Sequence, residues 1–183
     1  MSKENEEKEL IKTLKNPLKR KGAFNVLVAQ HKESLYWIIR KILLNHNDAD
    51  DVLQNTFMKI FLNIENFKGD SKLFTWIYRI AINESISYIN KKSKQVGFTN
   101  TEYVENKANK LESDVYFDGD EIELKLQKSI ATLPQKQRII FSMRYFDEMP
   151  FKEISKILST TEGALRASYH HAVKKIKNEL EKK

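Results

Sequence analysis

Apolar residues recur at spacings of three and four along most of this chain, and that spacing is typical of amphipathic helices. The pattern predicts a first helical stretch over residues 23–45 and a second helix capped by Asn47 or Asp48. Ser71 is predicted to cap a third helix, which runs to about Lys91. Four further helices are predicted over residues 120–131, 134–146, 150–158 and 161–181. The chain is therefore expected to be all-α.

One segment, residues 93–119, lacks this periodicity and carries two glycines among scattered acidic side chains. Such a composition is typical of a flexible linker. The sequence therefore predicts two small helical domains on a tether. We place a polar N-terminal extension at residues 1–20, frayed at its start, and the first domain at 21–92. The second domain follows the linker at 120–183.

Two stripes of apolar and small side chains indicate how the longest helices should pack. The third helix is expected to bury Phe74, Ile77, Ala81, Ser85 and Ile89. The last helix is expected to bury Leu165, Tyr169, Val173, Ile176 and Leu180. The side chains opposite these stripes are then available to a partner.

Basic charge is concentrated in the two predicted domains. Residues 10–92 hold 14 Lys and Arg against 7 Asp and Glu, and residues 131–183 hold 11 against 6. The start of the chain and the linker are acidic, and the whole chain has a net charge of +7. This distribution favours an acidic partner such as DNA at both domains.

The composition argues against several classes of site. The chain has no cysteine, so it holds neither disulfides nor thiolate metal sites. No apolar run approaches the roughly 20 residues that span a membrane, and the polar N-terminus is unlike a signal peptide. No P-loop, GxSxG or HExxH motif is present. We expect a cytoplasmic protein with no membrane insertion, and no motif indicates an enzymatic activity, a cofactor or a small-molecule substrate.

The second domain shows the layout of a helix-turn-helix. A short helix is followed by a tight turn at residues 159–161 and then by a longer helix. In that motif the second helix enters the major groove of duplex DNA. Arg166 is then a candidate for a guanine edge or a phosphate, and Lys174 for the DNA backbone. The alternative is that these side chains form the ordinary solvated face of a small helical bundle.

A second candidate surface lies in the first domain. Positions 72, 75, 76, 79 and 83 are three or four apart and share one face of the third helix, and Phe67 and Lys68 precede it. An exposed tryptophan, Trp76, among cations is suited to stacking on the bases of single-stranded DNA. The competing interpretation is that aromatic residues at helical spacing belong to the core.

The polar side of the second helix is a third candidate surface, suited to docking on a protein. Helix capping and solvation are the simpler explanation of its polar character. Asp48, Asp50 and Asp51 crowd one helical turn, so they offer no spread of ligands around a metal ion. His170 and His171 are adjacent, which also makes them a poor metal pair.

Two segments resemble sigma factors of the extracytoplasmic-function group. The first is DADDVLQNTFMKIF (48–61) with FKGDSKLFTWIYRIAIN (67–83), which is similar to region two of those proteins. The second is LPQKQRIIFSMRYFDEMPFKEISKILSTTEGALRASYHHAVKKI (133–176), which is similar to their region four. The order of the two segments and the character of the linker match as well.

The resemblance implies a transcription initiation subunit that binds core RNA polymerase and promoter DNA and is commonly held by an anti-sigma factor. It implies minus-10 recognition and melting by Phe67, Lys68, Ser71, Lys72, Thr75, Trp76, Arg79 and Asn83. It implies contact with the duplex minus-35 element by Thr161, Glu162, Arg166, Ala167, His170, His171 and Lys174. It implies docking on the polymerase clamp by Asp48, Asp51, Gln54, Asn55 and Met58.

The chain departs from the family pattern on two helices. Asn55 stands where the docking helix usually has an acid, and Ala167, Ser168 and His171 stand where the recognition helix often has Ser or Arg. The main alternative to a sigma factor is a stand-alone helix-turn-helix regulator, which would usually dimerise on palindromic sites. A nucleic-acid enzyme that holds metal at the acids near Asp48 is disfavoured by their crowding.

Overall fold

The computed structural model describes residues 3–114, 117 and 119–181. Nine α-helices and two short 3-10 helices, with no strand, make up the regular structure of these described residues, and the all-α prediction is confirmed. The α-helices are α1 Lys3–Lys15, α2 Arg20–Leu43, α3 His46–Asn63, α4 Leu73–Val96, α5 Asn100–Ala108, α6 Glu121–Ala131, α7 Gln135–Tyr145, α8 Phe151–Leu158 and α9 Glu162–Glu181. The 3-10 helices are Ile64–Asn66 and Leu111–Ser113.

Helices α2, α3 and α4 pack on one another and form the centre of the N-terminal half. Asn45, rather than Asn47 or Asp48, caps α3. Its extended backbone lets its side chain accept a hydrogen bond from the Asp48 N–H at 3.0 Å. The predicted stripe of α4 is buried at Ile77, Ala81, Ser85 and Ile89, while Phe74 is half-buried.

The segment that we predicted to be a polar N-terminal extension, frayed at its start, contains helix α1. Leu14 is fully buried, and Leu10 and Ile11 pack against the same core. Leu10 and Ile11 precede Leu14 by four and three residues, so the three side chains form one narrow apolar stripe on an otherwise polar helix. Burial of this stripe against α2 is the physical reason that α1 is ordered.

The segment predicted to be a flexible linker contains helix α5, which the apolar pattern did not indicate. Thr99 and Glu102 form a capping box: the Glu102 N–H donates to Thr99 Oγ1 at 3.2 Å, and the Thr99 N–H donates to Glu102 Oε2 at 2.7 Å. Helix α4 also continues beyond Lys91 to Val96, and its C-cap is Gly97, whose φ of 73° suits a glycine.

Helices α6 to α9 form the C-terminal half. A small cluster of buried side chains from α6, α7, α9 and the turn between α6 and α7 lies at its centre: Ile130, Leu133, Phe141, Ala172 and Ile176. The prediction that Val173 is buried is wrong, because the helical period places Ala172 in the core and leaves Val173 39% exposed.

The two halves pack against each other. A continuous cluster of buried side chains runs from Leu14 in α1 to Leu165 in α9. Polar contacts fasten the junction at Asp147, which follows α7: the Tyr78 hydroxyl donates to it at 2.7 Å, and the Lys41 ammonium pairs with it at 2.6 Å. Burial and the adjacent Asp147 carboxylate raise the pKa of Tyr78 well above its ordinary value, so this hydroxyl stays a donor.

Candidate nucleic-acid and polymerase interfaces

The helix-turn-helix predicted from the sequence is present. Helix α8 ends at Leu158, its C-cap Ser159 adopts a left-handed backbone with a φ of 51°, and α9 begins at Glu162. The two helices pack against each other, and Ile154 of α8 and Leu165 of α9 are fully buried in one apolar cluster. The Thr161 hydroxyl accepts a weak hydrogen bond from the Ala164 N–H at 3.4 Å, which supports the start of α9.

The outer face of α9 is open. The structure leaves six of the residues assigned to the minus-35 element exposed and Glu162 half-buried. The six are Thr161, Arg166, Ala167, His170, His171 and Lys174. A helix that presents this face can enter a major groove without rearrangement of its own domain.

Arg166 is held in place without being buried. Its guanidinium lies over the Phe151 ring at 4.8 Å and pairs with Glu162 at 3.5 Å, and its side chain remains 63% exposed. The aromatic contact limits the orientations of a planar cation. Arg166 therefore presents several N–H donors at the N-terminal end of α9, where a helix in the groove meets base edges.

The residues assigned to the minus-10 element divide into two groups. Lys68, Lys72 and Asn83 are exposed, and Ser71 and Arg79 are half-buried. Phe67 and Thr75 are buried, at 3% and 9% exposure. The structure therefore leaves two lysines and the amide at the surface, covers part of Ser71 and Arg79, and places Phe67 and Thr75 inside.

Trp76 does not stand free on the surface. It is half-buried against the core, with its ring centroid 5.4 Å from that of Phe67. Helix α4 contacts α2, α3, α5 and α8, so it buries more of its circumference than a helix on the surface of a bundle. A stacking role for Trp76 on DNA would first require its separation from Phe67.

The edge of the minus-10 surface meets the helix-turn-helix. A guanidinium nitrogen of Arg79, Nη2, donates to the Lys156 carbonyl of α8. A groove of about 400 Å³ lies beside this contact, between Arg79 and Asn83 on one side and Ser159 and Thr160 of the turn on the other. The two candidate DNA surfaces are thus neighbours in this arrangement.

The candidate docking surface on α3 is exposed at four of its five residues. Asp51, Gln54, Asn55 and Met58 are all on the surface. Asp48 differs: its carboxylate accepts hydrogen bonds from Tyr88 at 2.8 Å and Tyr103 at 3.3 Å and pairs with Lys107 at 2.6 Å. Burial, reinforced by this carboxylate, raises the pKa of Tyr103 to about 12.

The contacts of Asp48 give it a structural task, because they hold α5 against α3 and α4. This task was not predictable from the sequence, since Tyr88 and Tyr103 lie 40 and 55 residues away from Asp48. Leu62, which was not among the predicted residues, is 68% exposed and continues the spacing of Asp51, Asn55 and Met58 along α3. The intervals of four, three and four residues from Asp51 to Leu62 indicate that Leu62 lies on the same face of α3.

The described residues hold no group of three or more His, Cys, Asp or Glu side chains that could bind a metal ion. The acids at the start of α3 instead contact protein groups; His46 Nε2, for example, lies 3.3 Å from Asp50 Oδ2. Within the part of the chain that the structure describes, no helix is both long and apolar enough to cross a membrane.

Comparison with known families finds matches in both halves of the chain. The family model described as "Sigma-70 region 2" matches residues 27–95, and that described as "Sigma-70, region 4" matches residues 123–176. These two segments contain most of α2 to α4 and most of α6 to α9. They therefore include all the candidate site residues.

Curated relatives match over nearly the whole chain. The chain is 28% identical to the ECF RNA polymerase sigma factor SigW of Bacillus subtilis, covering 86% of this chain and 89% of that protein. It is 27% identical to the RNA polymerase sigma-H factor of Pseudomonas aeruginosa, covering 88% of each. It is 25% identical to the ECF RNA polymerase sigma-E factor of Escherichia coli, covering 87% of each.

Solved structures share the fold. CnrH, in complex with the cytosolic domain of CnrY, superposes with a TM-score of 0.68 at 19% identity, covering 95% of this chain and 96% of that one. The sigma factor RpoE of Bartonella quintana, in complex with the anti-sigma factor NepR, gives a TM-score of 0.65 at 16% identity, covering 87% and 97%. With both sigma-70 regions matched in order along an all-α chain, this protein belongs to the extracytoplasmic-function group of the sigma-70 family.

Proposed function

We propose that this chain binds core RNA polymerase and directs it to promoters through contacts with a minus-10 and a minus-35 element. The observation that carries the proposal is the presence, in one chain, of both sigma-70 regions with the outer face of α9 exposed. The curated relatives described above are RNA polymerase sigma factors, and the match to this chain covers almost their full length.

Duplex contact at the minus-35 element is assigned to α9. Arg166 is the first candidate for a base edge, because it is exposed, oriented by Phe151 and near the helix N-terminus. His170 and Lys174 follow at intervals of four along the same face, and Lys174 is suited to a phosphate.

Contact at the minus-10 element is assigned to the loop at residues 67–72 and to the adjoining face of α4. Lys68, Lys72 and Asn83 are already at the surface and can meet the backbone and a base edge. We expect the Trp76 ring to stack on a base only after it separates from the Phe67 ring. Binding of the melted strand should therefore change the structure around these two side chains. Unstacking a base costs a few kcal/mol, which such contacts must offset.

Docking on polymerase is assigned to the exposed side of α3, with Asp51, Gln54, Asn55 and Met58 as its centre. Asp48 contributes indirectly by holding α5 in place. Because the RpoE structure contains the anti-sigma factor NepR, we also propose that an anti-sigma factor holds this chain when it is not on polymerase. We propose a cytoplasmic location, no enzymatic activity and no cofactor.

The direct test is a pull-down with purified bacterial core RNA polymerase, followed by transcription from a pool of promoter fragments from the source genome. Stable binding and initiation at a shared two-part motif are expected. Absence of polymerase binding, together with retention of duplex fragments that carry a palindrome, would instead identify a stand-alone regulator.

The contact assigned to Arg166 gives a second expected result. Arg166→Ala should weaken holoenzyme binding to the minus-35 duplex about tenfold, within the range for loss of one base-specific contact. Arg166→Lys retains the positive charge but lacks the planar guanidinium that can form two parallel hydrogen bonds. It should therefore restore binding to a duplex with a scrambled minus-35 sequence, but not the preference for the correct sequence over the scrambled one. The measurement is competition binding with the two duplexes; an unchanged preference in both variants would show that Arg166 reads no base.

A further inference from the structure

Helix α4 begins without a capping side chain of its own. Lys72 occupies its N-cap position and makes no side-chain capping bond, and the first turn holds no acidic residue. The first N–H groups of any helix lack an acceptor within the helix. Other helices solve this locally, through Asn45 for α3, Thr99 for α5, Asp120 for α6 and Thr161 for α9. Ser71, our predicted cap, instead directs its hydroxyl to the Lys72 carbonyl.

The acceptor for α4 comes from α1. The Leu73 N–H donates to Glu7 Oε1 at 3.2 Å, across 66 residues of sequence. A carboxylate at this position also complements the positive end of the helix dipole, and α4 is 24 residues long. Glu7 thus performs for α4 the task that a local Asp or Asn performs in other helices.

A second side chain of α1 holds the other end of the same loop. Lys15 Nζ donates to the Phe67 carbonyl at 2.6 Å. The segment at residues 67–72 is therefore attached to α1 at both ends, through the Phe67 carbonyl and through the Leu73 N–H at the start of α4. Between these attachments Lys68, Gly69 and Asp70 are exposed, and Gly69 has a φ of 82°.

Helix α1 is itself firmly attached, which makes these contacts effective. Leu14 is fully buried, and Arg20 Nε donates to the Leu14 carbonyl at 2.9 Å. The Arg20 guanidinium also pairs with Glu65, two residues before the loop. Glu7, Ile11 and Lys15 follow at intervals of four, so one face of α1 carries both attachments and the apolar contact between them.

We propose that α1 is a clamp that positions the 67–72 loop for the minus-10 element, with Glu7 and Lys15 as its positioning residues. The inference rests on the function proposed for this loop. Glu7 and Lys15 act through the loop and not on DNA. Loss of either attachment frees one end of the loop and spreads Lys68 and Lys72 over more orientations, which raises the entropic cost of ordering them on the strand.

The first experiment measures hydrogen exchange in the free protein and needs neither polymerase nor promoter. Glu7→Ala should accelerate exchange of the Leu73 amide about fivefold or more, as expected for loss of a helix cap. Glu7→Gln keeps an acceptor oxygen and should restore most of the protection. Glu6→Ala removes an exposed carboxylate from the same helix and should leave Leu73 unchanged.

The second experiment measures promoter opening by holoenzyme, with a fluorescent base analogue in the minus-10 element. Glu7→Ala and Lys15→Met should each slow opening about fivefold or more while affinity for core polymerase stays unchanged. Lys15→Arg keeps a donor for the Phe67 carbonyl and should recover opening. Lys12→Met removes an exposed lysine from the same helix and serves as the charge control.

Unchanged exchange at Leu73 in Glu7→Ala would overturn the clamp. Faster exchange at Leu73 in Glu7→Ala together with promoter opening at the wild-type rate would show that α1 holds the loop but does not position it for the minus-10 element. If the wild-type protein opens no promoter at all, the proposed function fails, and exchange at Leu73 alone then decides whether α1 holds the loop.

Discussion

Replacement of Asp147 by alanine is expected to loosen the junction between the two halves of this sigma factor. The substitution leaves the buried Tyr78 hydroxyl without its acceptor and the Lys41 ammonium without its carboxylate. A buried hydroxyl left without its acceptor costs about 1–3 kcal/mol, and the ion pair is only half-buried, so we expect a loss of about 2 kcal/mol in the free energy of unfolding. The radius of gyration, measured by small-angle X-ray scattering, should increase while the helical circular-dichroism signal is retained.

The matched control for this experiment is Glu148→Ala, because Glu148 is the adjacent acid and is exposed. It removes the same charge without removing the acceptor of Tyr78, so both the radius and the free energy of unfolding should stay close to wild type. An Asp147→Ala protein that keeps the wild-type radius of gyration would show that apolar contacts alone hold the two halves together.

Replacement of Asp48 by alanine is expected to act on stability before it acts on polymerase binding. Three donors, from Tyr88, Tyr103 and Lys107, lose one shared acceptor. We expect the free energy of unfolding to fall by about 3 kcal/mol, measured by urea denaturation, since two hydroxyls and an ammonium are left unpaired in partly buried positions. Protection of α5 amides from hydrogen exchange should fall in the same variant.

Asp51→Ala separates the two roles, because Asp51 is exposed on the same helix. It should leave the free energy of unfolding within about 0.5 kcal/mol of wild type and weaken binding to core polymerase. If Asp48→Ala proved as stable as wild type and yet bound polymerase poorly, Asp48 would belong to the docking surface and not to the scaffold.

Helix type and order could be predicted from the sequence because most helices bury a wide apolar stripe that repeats every three or four residues. The apolar spacing did not predict two of the helices, α1 and α5. Helix α1 has only Leu10, Ile11 and Leu14 on its buried side, and α5 is marked chiefly by its capping box at Thr99 and Glu102. A search for Ser or Thr followed three residues later by Glu would have found α5.

The candidate surfaces were harder to predict than the helices. Residue spacing correctly placed Lys72 and Asn83 on the outside of α4, but it could not show that Trp76 packs on Phe67 or that Arg79 turns toward α8. Such outcomes depend on contacts between residues far apart in sequence. The Glu7 cap of α4 is the extreme case, since nothing near Leu73 indicates where its acceptor lies.

The closed arrangement of the two halves leaves polar atoms in an unfavourable environment. Within the described residues, Arg79 Nε, Gln135 Nε2, and Nε and Nη2 of Arg138 are buried without a hydrogen-bond partner, and burial lowers the pKa of Arg138 to about 10. Each such group costs about 1–3 kcal/mol, more when charged, and wherever separation of the halves admits water that cost is recovered. A partner that binds the form with separated halves then needs less binding free energy to shift the equilibrium. Each tenfold change in the ratio of the two forms takes about 1.4 kcal/mol. Hydration of those atoms that separation exposes would thus offset part of the free energy that opening the two halves costs.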